Sequence, residues 1–280
     1  MTEITRFTDY PLHRREHPDY RQLLLQMRTQ LEKLGYCQLP DFLSAKSLQR
    51  LQRQYRDLAR HCAKQHGREV NCYYSPANEN RPPDHPQNTF FTREFGVIRT
   101  DMLPDGCLLQ QIYDDRNLMI FIRDVLGIPA LYQSRDAYQS LTINCMQAGE
   151  HLHWHFDCND FAVTLAIQAP EEGGEFEFVR DIGRTNSEDI SRVLADNHSN
   201  LPERLIPRQF AVTEGTLVIF KGGESLHRVL PVKGRRVRLV AALQYHSRDG
   251  ARDDPRMTQR IYGIDPSLHC GSKEKIVGVQ

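Results

Sequence analysis

The sequence predicts a mainly β protein, with a jelly-roll (double-stranded β-helix) core behind a helical N-terminal region. Two observations lead to that class. From Leu141 to Tyr245, short runs rich in β-branched and aromatic residues are separated by glycine turns, not by regular helices. Before residue 135, apolar residues recur instead at helical spacing.

The elements follow in order. In the N-terminal region, 1–135, Leu23, Leu24, Met27, Leu31 and Leu34 form one helical stripe, stopped by Gly35. Tyr36–Phe42 reads as a short strand. Ser44 is placed to cap a second helix with Leu48, Leu51, Tyr55, Leu58 and Cys62 on its apolar face. Both stripes are expected to pack on the sheet. Residues 73–92, rich in Pro, Asn and Asp, form a long connection that is either a binding loop or a disordered surface loop. A helix at about Asp115–Leu126 is closed by Gly127 and Pro129.

The core is expected over 136–250. Its strands are Leu141–Met146, Phe161–Gln168, the alternating segment around Phe176 and Phe178, Thr216–Phe220, Ser225–Leu230 and Arg235–Tyr245. Turns fall at Ala148–Glu150, Glu171–Glu175, Glu214–Gly215, Gly222–Gly223 and Lys233–Gly234. An insertion, 180–209, holds a short helix capped by Ser187, with Ile190, Val193 and Leu194 on one face, and is expected to cover the site. The extension 251–280 completes one compact unit.

Composition narrows the function. The 36 basic and 36 acidic residues cancel, which gives no support to a nucleic-acid or membrane partner. No apolar run approaches the roughly 20 residues that span a bilayer. Met1–Arg6 lacks the apolar segment of a secretory signal. Seven scattered cysteines, odd in number and without C-x-x-C, argue against a disulfide framework or zinc ribbon and fit a reducing, cytoplasmic setting. Cys158 is read as a small apolar residue, not a reactive thiol.

The chemistry centres on His155-Phe156-Asp157 and on His227, which follows 70 residues later. Alternate strand residues share a face, so His155 and Asp157 can grip one metal while Phe156 turns into the core. Two imidazoles and a carboxylate hold non-haem Fe(II) on one face and leave its other positions open. Core histidines satisfied by hydrogen bonds explain one such residue more easily than this arrangement. His151 and His153 crowd the motif and are not taken as ligands. Zinc with a hydrolytic water is the rival metal. It leaves unexplained Arg236 and Arg238, which would share a face of the last strand and pair a carboxylate bidentately. A dicarboxylate cosubstrate supplies that anion.

The order H-x-D, hairpin, glycine turn, S-L-H-R-V-x-P-V, G-x-R, spanning Ser140–Ser247, resembles the Fe(II)- and 2-oxoglutarate-dependent dioxygenases, with their cupin-like core. Trp154–Asp157, Gln168–Glu177 and Ser225–Val232 look like the branch that holds the radical halogenases of free amino acids, notably lysine, and their hydroxylase relatives. The resemblance implies His155, Asp157 and His227 as iron ligands and Arg236, in the G-x-R position, as the clamp for 2-oxoglutarate. Arg238 stands where many members have Ser or Thr, so either arginine can fill that role. Asn144 is a further cosubstrate contact. Halogenases of this branch replace the motif's carboxylate with a small residue that admits chloride. Asp157 is present here, so the resemblance implies hydroxylation, with O₂ consumed and succinate and CO₂ released.

The substrate expected from the branch is a free amino acid, L-lysine. Arg93 or Arg99 would hold its carboxylate and Asp136 or Asp160 its cationic end, with Gln244 and Tyr262 walling the pocket. The rivals are a protein or peptide side-chain hydroxylase and a metal-binding β-barrel without catalysis. An enclosed pocket favours the small molecule. The oligomeric state is not legible.

Overall fold

In the computed structural model, which describes residues 10–265 and 267 apart from 60, 61, 65–67 and 196–199, the two larger of five antiparallel sheets lie between layers of helix, and the other three are two-stranded. Cys270 and the rest of the C-terminal extension fall outside the described residues. Helix α1 (Pro18–Leu34) stops at Gly35, whose φ of 84° is the left-handed conformation glycine adopts without strain. Its buried stripe is Tyr20, Leu23, Met27 and Leu31, which leaves Leu34 at the surface. Strand β1 (Tyr36–Leu39) leads to α2 (Ala45–Ala59), where Ser44 Oγ accepts the Ser47 N–H at 3.2 Å as an N-cap. The face of α2 that packs is Ser47, Leu51, Tyr55 and Ala59, with Leu48 and Leu58 at its shoulders.

Four very short strands follow: β2 (Ala63–Lys64), β3 (Arg68–Val70), β4 (Phe91–Arg93) and β5 (Gly96–Ile98). Two or three residues are too few for alternation to register in the sequence. Next come α3 (Leu108–Tyr113) and α4 (Arg116–Leu126), the latter capped by Asp115 and closed by Gly127. The rest of the chain is β6 (Tyr132–Gln133), β7 (Leu141–Met146), β8 (Leu152–His155), β9 (Ala162–Gln168), β10 (Glu172–Gly173), β11 (Phe176–Val179), α5 (Ser187–Leu194), β12 (Arg208–Phe210), β13 (Leu217–Phe220), β14 (Leu226–Val229), β15 (Val232–Lys233), β16 (Arg238–Leu243), β17 (Tyr245–His246) and α6 (Pro255–Tyr262).

The larger sheet runs β1-β13-β9-β16-β7-β5-β2 and the smaller one β12-β11-β14-β8. Alternation sorts the side chains into layers. Ile143, Cys145, Leu165, Leu217, Ile219, Leu239 and Ala241 pack with the helices on one face of the larger sheet. Val218 and Phe220 turn the other way and meet Phe178 and Phe210 of the smaller sheet. Met146 and Val97 meet Val229 across the same gap. Each such fully buried side chain contributes about 1.5–3 kcal/mol relative to exposure. The sheets share no strand, so no barrel is closed among the described residues.

Three expectations need correction. The insertion reaches the site through Arg184, which bonds the backbone of Asp157, but its apolar residues do not lie over the gap between the sheets. Its Ile190, Val193 and Leu205 pack on Trp154, Phe156, Val179 and Leu226, the outer face of the smaller sheet. Its helix is capped by Asn186, not Ser187: the Asn186 side chain accepts the Asp189 N–H at 3.3 Å. The last long strand begins at Arg238, not Arg235, because the chain bends through Gly234, with φ 83°, before it joins the sheet. Among the described residues no helix is long and apolar enough to cross a membrane.

Candidate metal centre

Strands β8 and β14 are neighbours, and their register sets His155 opposite His227. Cross-strand partners lie side by side on one face; these two rings are 4.0 Å apart, centroid to centroid. The strand ends at His155, so Asp157 lies just past it and is placed by a backbone bond instead: its N–H donates to Gly222 O at 3.0 Å. Phe156 is fully buried on the opposite side. Asp157 Oδ1 lies 3.5 Å from His227 Nε2 and 3.9 Å from His155 Nε2. The three ligand atoms all fall within 4.8 Å of one another, and this is the one such group of three among the described residues.

The surroundings prepare these atoms for a cation. His155 Nδ1 lies 2.9 Å from His153 O, and His227 Nδ1 lies 2.9 Å from Ser225 O. A carbonyl only accepts, so each Nδ1 carries the proton and each Nε2 keeps its lone pair for a metal. Burial first, and the neighbouring His227 second, depress the His155 pKa to about 3. Burial opposes ionisation of Asp157, but His227, His155 and Arg184 outweigh it and hold the carboxyl below its ordinary range. Asp157 Oδ2 is shielded from solvent without a hydrogen-bond partner. A buried carboxylate oxygen left bare is costly, and a metal ion between the three groups removes that cost. The residues therefore fit Fe(II). Arg184 Nη1 donates to Asp157 O at 2.9 Å and steadies the turn.

Gly222 leaves room for the carboxylate. A Cβ there would lie 1.6 Å from Asp157 Oδ2 and 2.5 Å from its Cγ. Space, not backbone conformation, is what this glycine provides.

These shifts give a pH dependence. The unfolded chain binds protons at histidine from about pH 6.5 downward, whereas folded His155 resists protonation until about pH 3. His153, lowered to about 4 chiefly by burial, acts in the same direction. Stability of the metal-free protein is therefore full above about pH 6.5 and falls as the pH drops toward 4. Thermal melting at stepped pH checks this; a melting temperature unchanged between pH 7 and 5 would contradict it.

The two arginines separate clearly. Arg236 Nη2 pairs with Glu214 Oε1 at 2.6 Å. Glu214 also accepts from Gln52 of α2 and from the Ala169 N–H, so Arg236 belongs to the helix side of the larger sheet. The expectation that both arginines share a strand face is corrected by the bend before β16. Arg238 lies on the strand, opposite Met146 and out of phase with Leu239, which faces the helices; its side chain therefore points between the sheets. Burial alone lowers its pKa, to about 10, with no carboxylate opposing the shift. Asn144, opposite Val240, shares that inward face.

The remaining candidates divide in the same way. Arg93 is buried against the Phe95 and Tyr262 rings. Arg99 is committed to Asp101, at 2.9 and 3.0 Å, and is corrected as a free anion site. Asp136 is buried and Asp160 exposed. Gln244 Oε1 accepts from Asn159 at 2.9 Å. His151 and His153 contact each other at 2.9 Å, with His153 stacked on Phe91. The Cys158 thiol lies 3.0 Å from Met257 Sδ. The long connection brings Tyr74 edge-on to His155 at 5.5 Å, and its Asn78, Gln87 and Asn88 side chains hydrogen-bond across the loop. Tyr74, Arg184 and Gly222 carry no motif that marks them as site residues; only the Gly222–Gly223 doublet was a visible signal.

Comparisons agree with this geometry. A family model described as Halogenase D matches residues 20–260. No curated protein matches the sequence. Among solved structures, a 2OG-Fe(II) oxygenase family member from Burkholderia pseudomallei is 19% identical with a TM-score of 0.50, covering 81% of this chain and 92% of its own. The non-heme alpha ketoglutarate dependent epimerase SnoN of nogalamycin biosynthesis is 14% identical with a TM-score of 0.53, covering 81% of each chain. HygX from Streptomyces hygroscopicus, solved with nickel and 2-oxoglutarate, is 14% identical with a TM-score of 0.51, covering 79% of this chain and 86% of its own. At these identities the likeness establishes the fold, that of the 2OG-Fe(II) oxygenases.

Proposed function

The chain belongs to the Halogenase D family, and on that premise we propose that it hydroxylates an unactivated C–H bond of a free amino acid, L-lysine, using Fe(II), O₂ and 2-oxoglutarate. The observation that carries the choice of reaction is Asp157, whose carboxylate faces both histidine Nε2 atoms. It occupies the place that a halogenase needs for chloride. Iron, when bound, supplies the oxygen activation; the chain supplies orientation and exclusion of water.

His155, Asp157 and His227 hold the metal. Arg238, half-buried and with no ion pair among the described residues, takes the far carboxylate of 2-oxoglutarate, and Asn144 lies on the same inward face. Burying a cation is unfavourable unless it is paired, which supports an anion as part of the working site. Arg93 takes the amino-acid carboxylate, and Phe176, Phe220 and Tyr74 pack around the ligand rings to keep water out. The cytoplasmic setting proposed with it rests on the scattered cysteines of the sequence, which contain no C-x-x-C.

The test is aerobic incubation with Fe(II), 2-oxoglutarate and a panel of amino acids. Lysine should stimulate succinate formation and give a product heavier by one oxygen atom. Succinate formation that no amino acid stimulates would contradict the proposal.

A further inference from the structure

The three metal ligands are held in place by different means. His155 and His227 sit on paired strands, β8 and β14, whose ladder fixes them. Asp157 lies beyond the end of β8, in a segment that is neither strand nor helix, so no ladder bond orients it. Its two backbone groups are bonded elsewhere: the N–H donates to Gly222 O at 3.0 Å, and the carbonyl accepts from Arg184 Nη1 at 2.9 Å. Gly222 belongs to the turn between β13 and β14, inside the core. Arg184 reaches in from the insertion, 27 residues further along the chain.

Arg184 differs from its neighbours in the insertion. Arg180, Arg192 and Arg204 each pair with an acid of the same segment, Asp181, Glu188 and Asp189 in turn. Arg184 makes no ion pair among the described residues. Half-buried, it sets its guanidinium 5.6 Å from the centre of the Phe156 ring, between the two ligands of the H-x-D motif. Tyr73 stacks on the same ring at 5.8 Å, and the Phe156 N–H donates to Cys72 O at 2.9 Å. The backbone that carries Arg184 is itself anchored: Ile182 packs in the apolar cluster around Phe156, and the Gly183 N–H donates to Glu224 O at 3.3 Å.

A guanidinium packed against an aromatic ring is already ordered, and a charged donor makes the stronger hydrogen bond. A ligand outside regular structure is only as precise as the bonds that hold its turn. Supporting bonds of that kind are worth about 10–100-fold in metal affinity. We propose that Arg184 is a positioning residue for the iron centre. By fixing the Asp157 carbonyl it keeps the carboxylate of that residue facing His155 and His227, and it makes iron retention depend on the insertion. This role rests on the reading of the three residues as iron ligands and is independent of which substrate is oxidised.

The experiment is anaerobic calorimetric titration of Fe(II) into the metal-free, full-length chain, in the wild type and in the Asp157→Gly background. Arg184→Met keeps an apolar stem against Phe156 but removes the donor, and should weaken Fe(II) by about tenfold or more in the wild type. Arg184→Lys retains a charged donor, and because one carbonyl oxygen needs no fork it should recover to within about threefold of wild type. In the Asp157→Gly background Arg184→Met should change the affinity by less than about twofold, since the carboxylate it positions is gone. If Arg184→Met melts below the assay temperature, Arg184→Gln, polar but too short to make the bond, is read in the same way. An unchanged affinity in Arg184→Met, no recovery by Arg184→Lys, or the same fold loss without Asp157 would overturn the role while the iron reading stood. Failure of the wild type to bind Fe(II) would overturn both.

Discussion

Arg238→Met should weaken 2-oxoglutarate binding by about a hundredfold or more, whereas Arg236→Met should change it by less than about twofold. The two residues are separated by one valine, so the contrast tests geometry and not local charge. Arg238 enters the gap between the sheets from β16, is half-buried, and has no carboxylate opposing the shift of its guanidinium. Truncating one partner of a desolvated, bidentate pair removes several kcal/mol. Arg236 is already engaged by Glu214, itself held by Gln52 and the Ala169 N–H. Both members of that pair are partly exposed, so its loss should cost about 0–1 kcal/mol of stability. Anaerobic titration of 2-oxoglutarate into each iron-loaded variant decides the matter. A loss confined to Arg236→Met would reverse the assignment.

Asp157→Gly should lower Fe(II) affinity by on the order of a hundredfold and, in chloride buffer with lysine, divert part of the product from hydroxylated to chlorinated. The expectation follows from the carboxylate's position between the two Nε2 atoms. Gly222 supplies the control. Gly222→Ala places a methyl on the same carboxylate and should lower iron affinity by about tenfold in the wild type. In the Asp157→Gly background it should have no further effect, since the atoms it strikes are gone. Such non-additivity identifies the two residues as one unit. Additive losses would mean that Gly222 acts elsewhere, and a hydroxylated product alone from iron-loaded Asp157→Gly would sink the explanation of reaction choice.

Much of the fold was legible because its long elements carry their periodicity openly. The α1 stripe, the Gly35 and Gly127 stops, and β7, β9, β13 and β14 all lie where alternation and turn residues place them. The metal ligands were legible from residue type and spacing: His227 sits on a recognisable strand, and Asp157 is tied to His155 by two residues of chain. The misses have physical causes. β2 to β5 are too short to show a period. The bend at Gly234 shifts the start of β16 and takes Arg236 off the strand, which no alternation count can register. The insertion helix is amphipathic, but amphipathicity does not say which face of which sheet it covers.

The account depends on three distant side chains holding one open ferrous site with a cosubstrate beside it. The most direct measurement is an anaerobic crystal structure with Fe(II) and 2-oxoglutarate. The predicted result is iron on His155 Nε2, Asp157 and His227 Nε2 with no fourth protein ligand, and the cosubstrate's far carboxylate on Arg238. A metal closed by a fourth side chain, or a cosubstrate bound at Arg236, would contradict it.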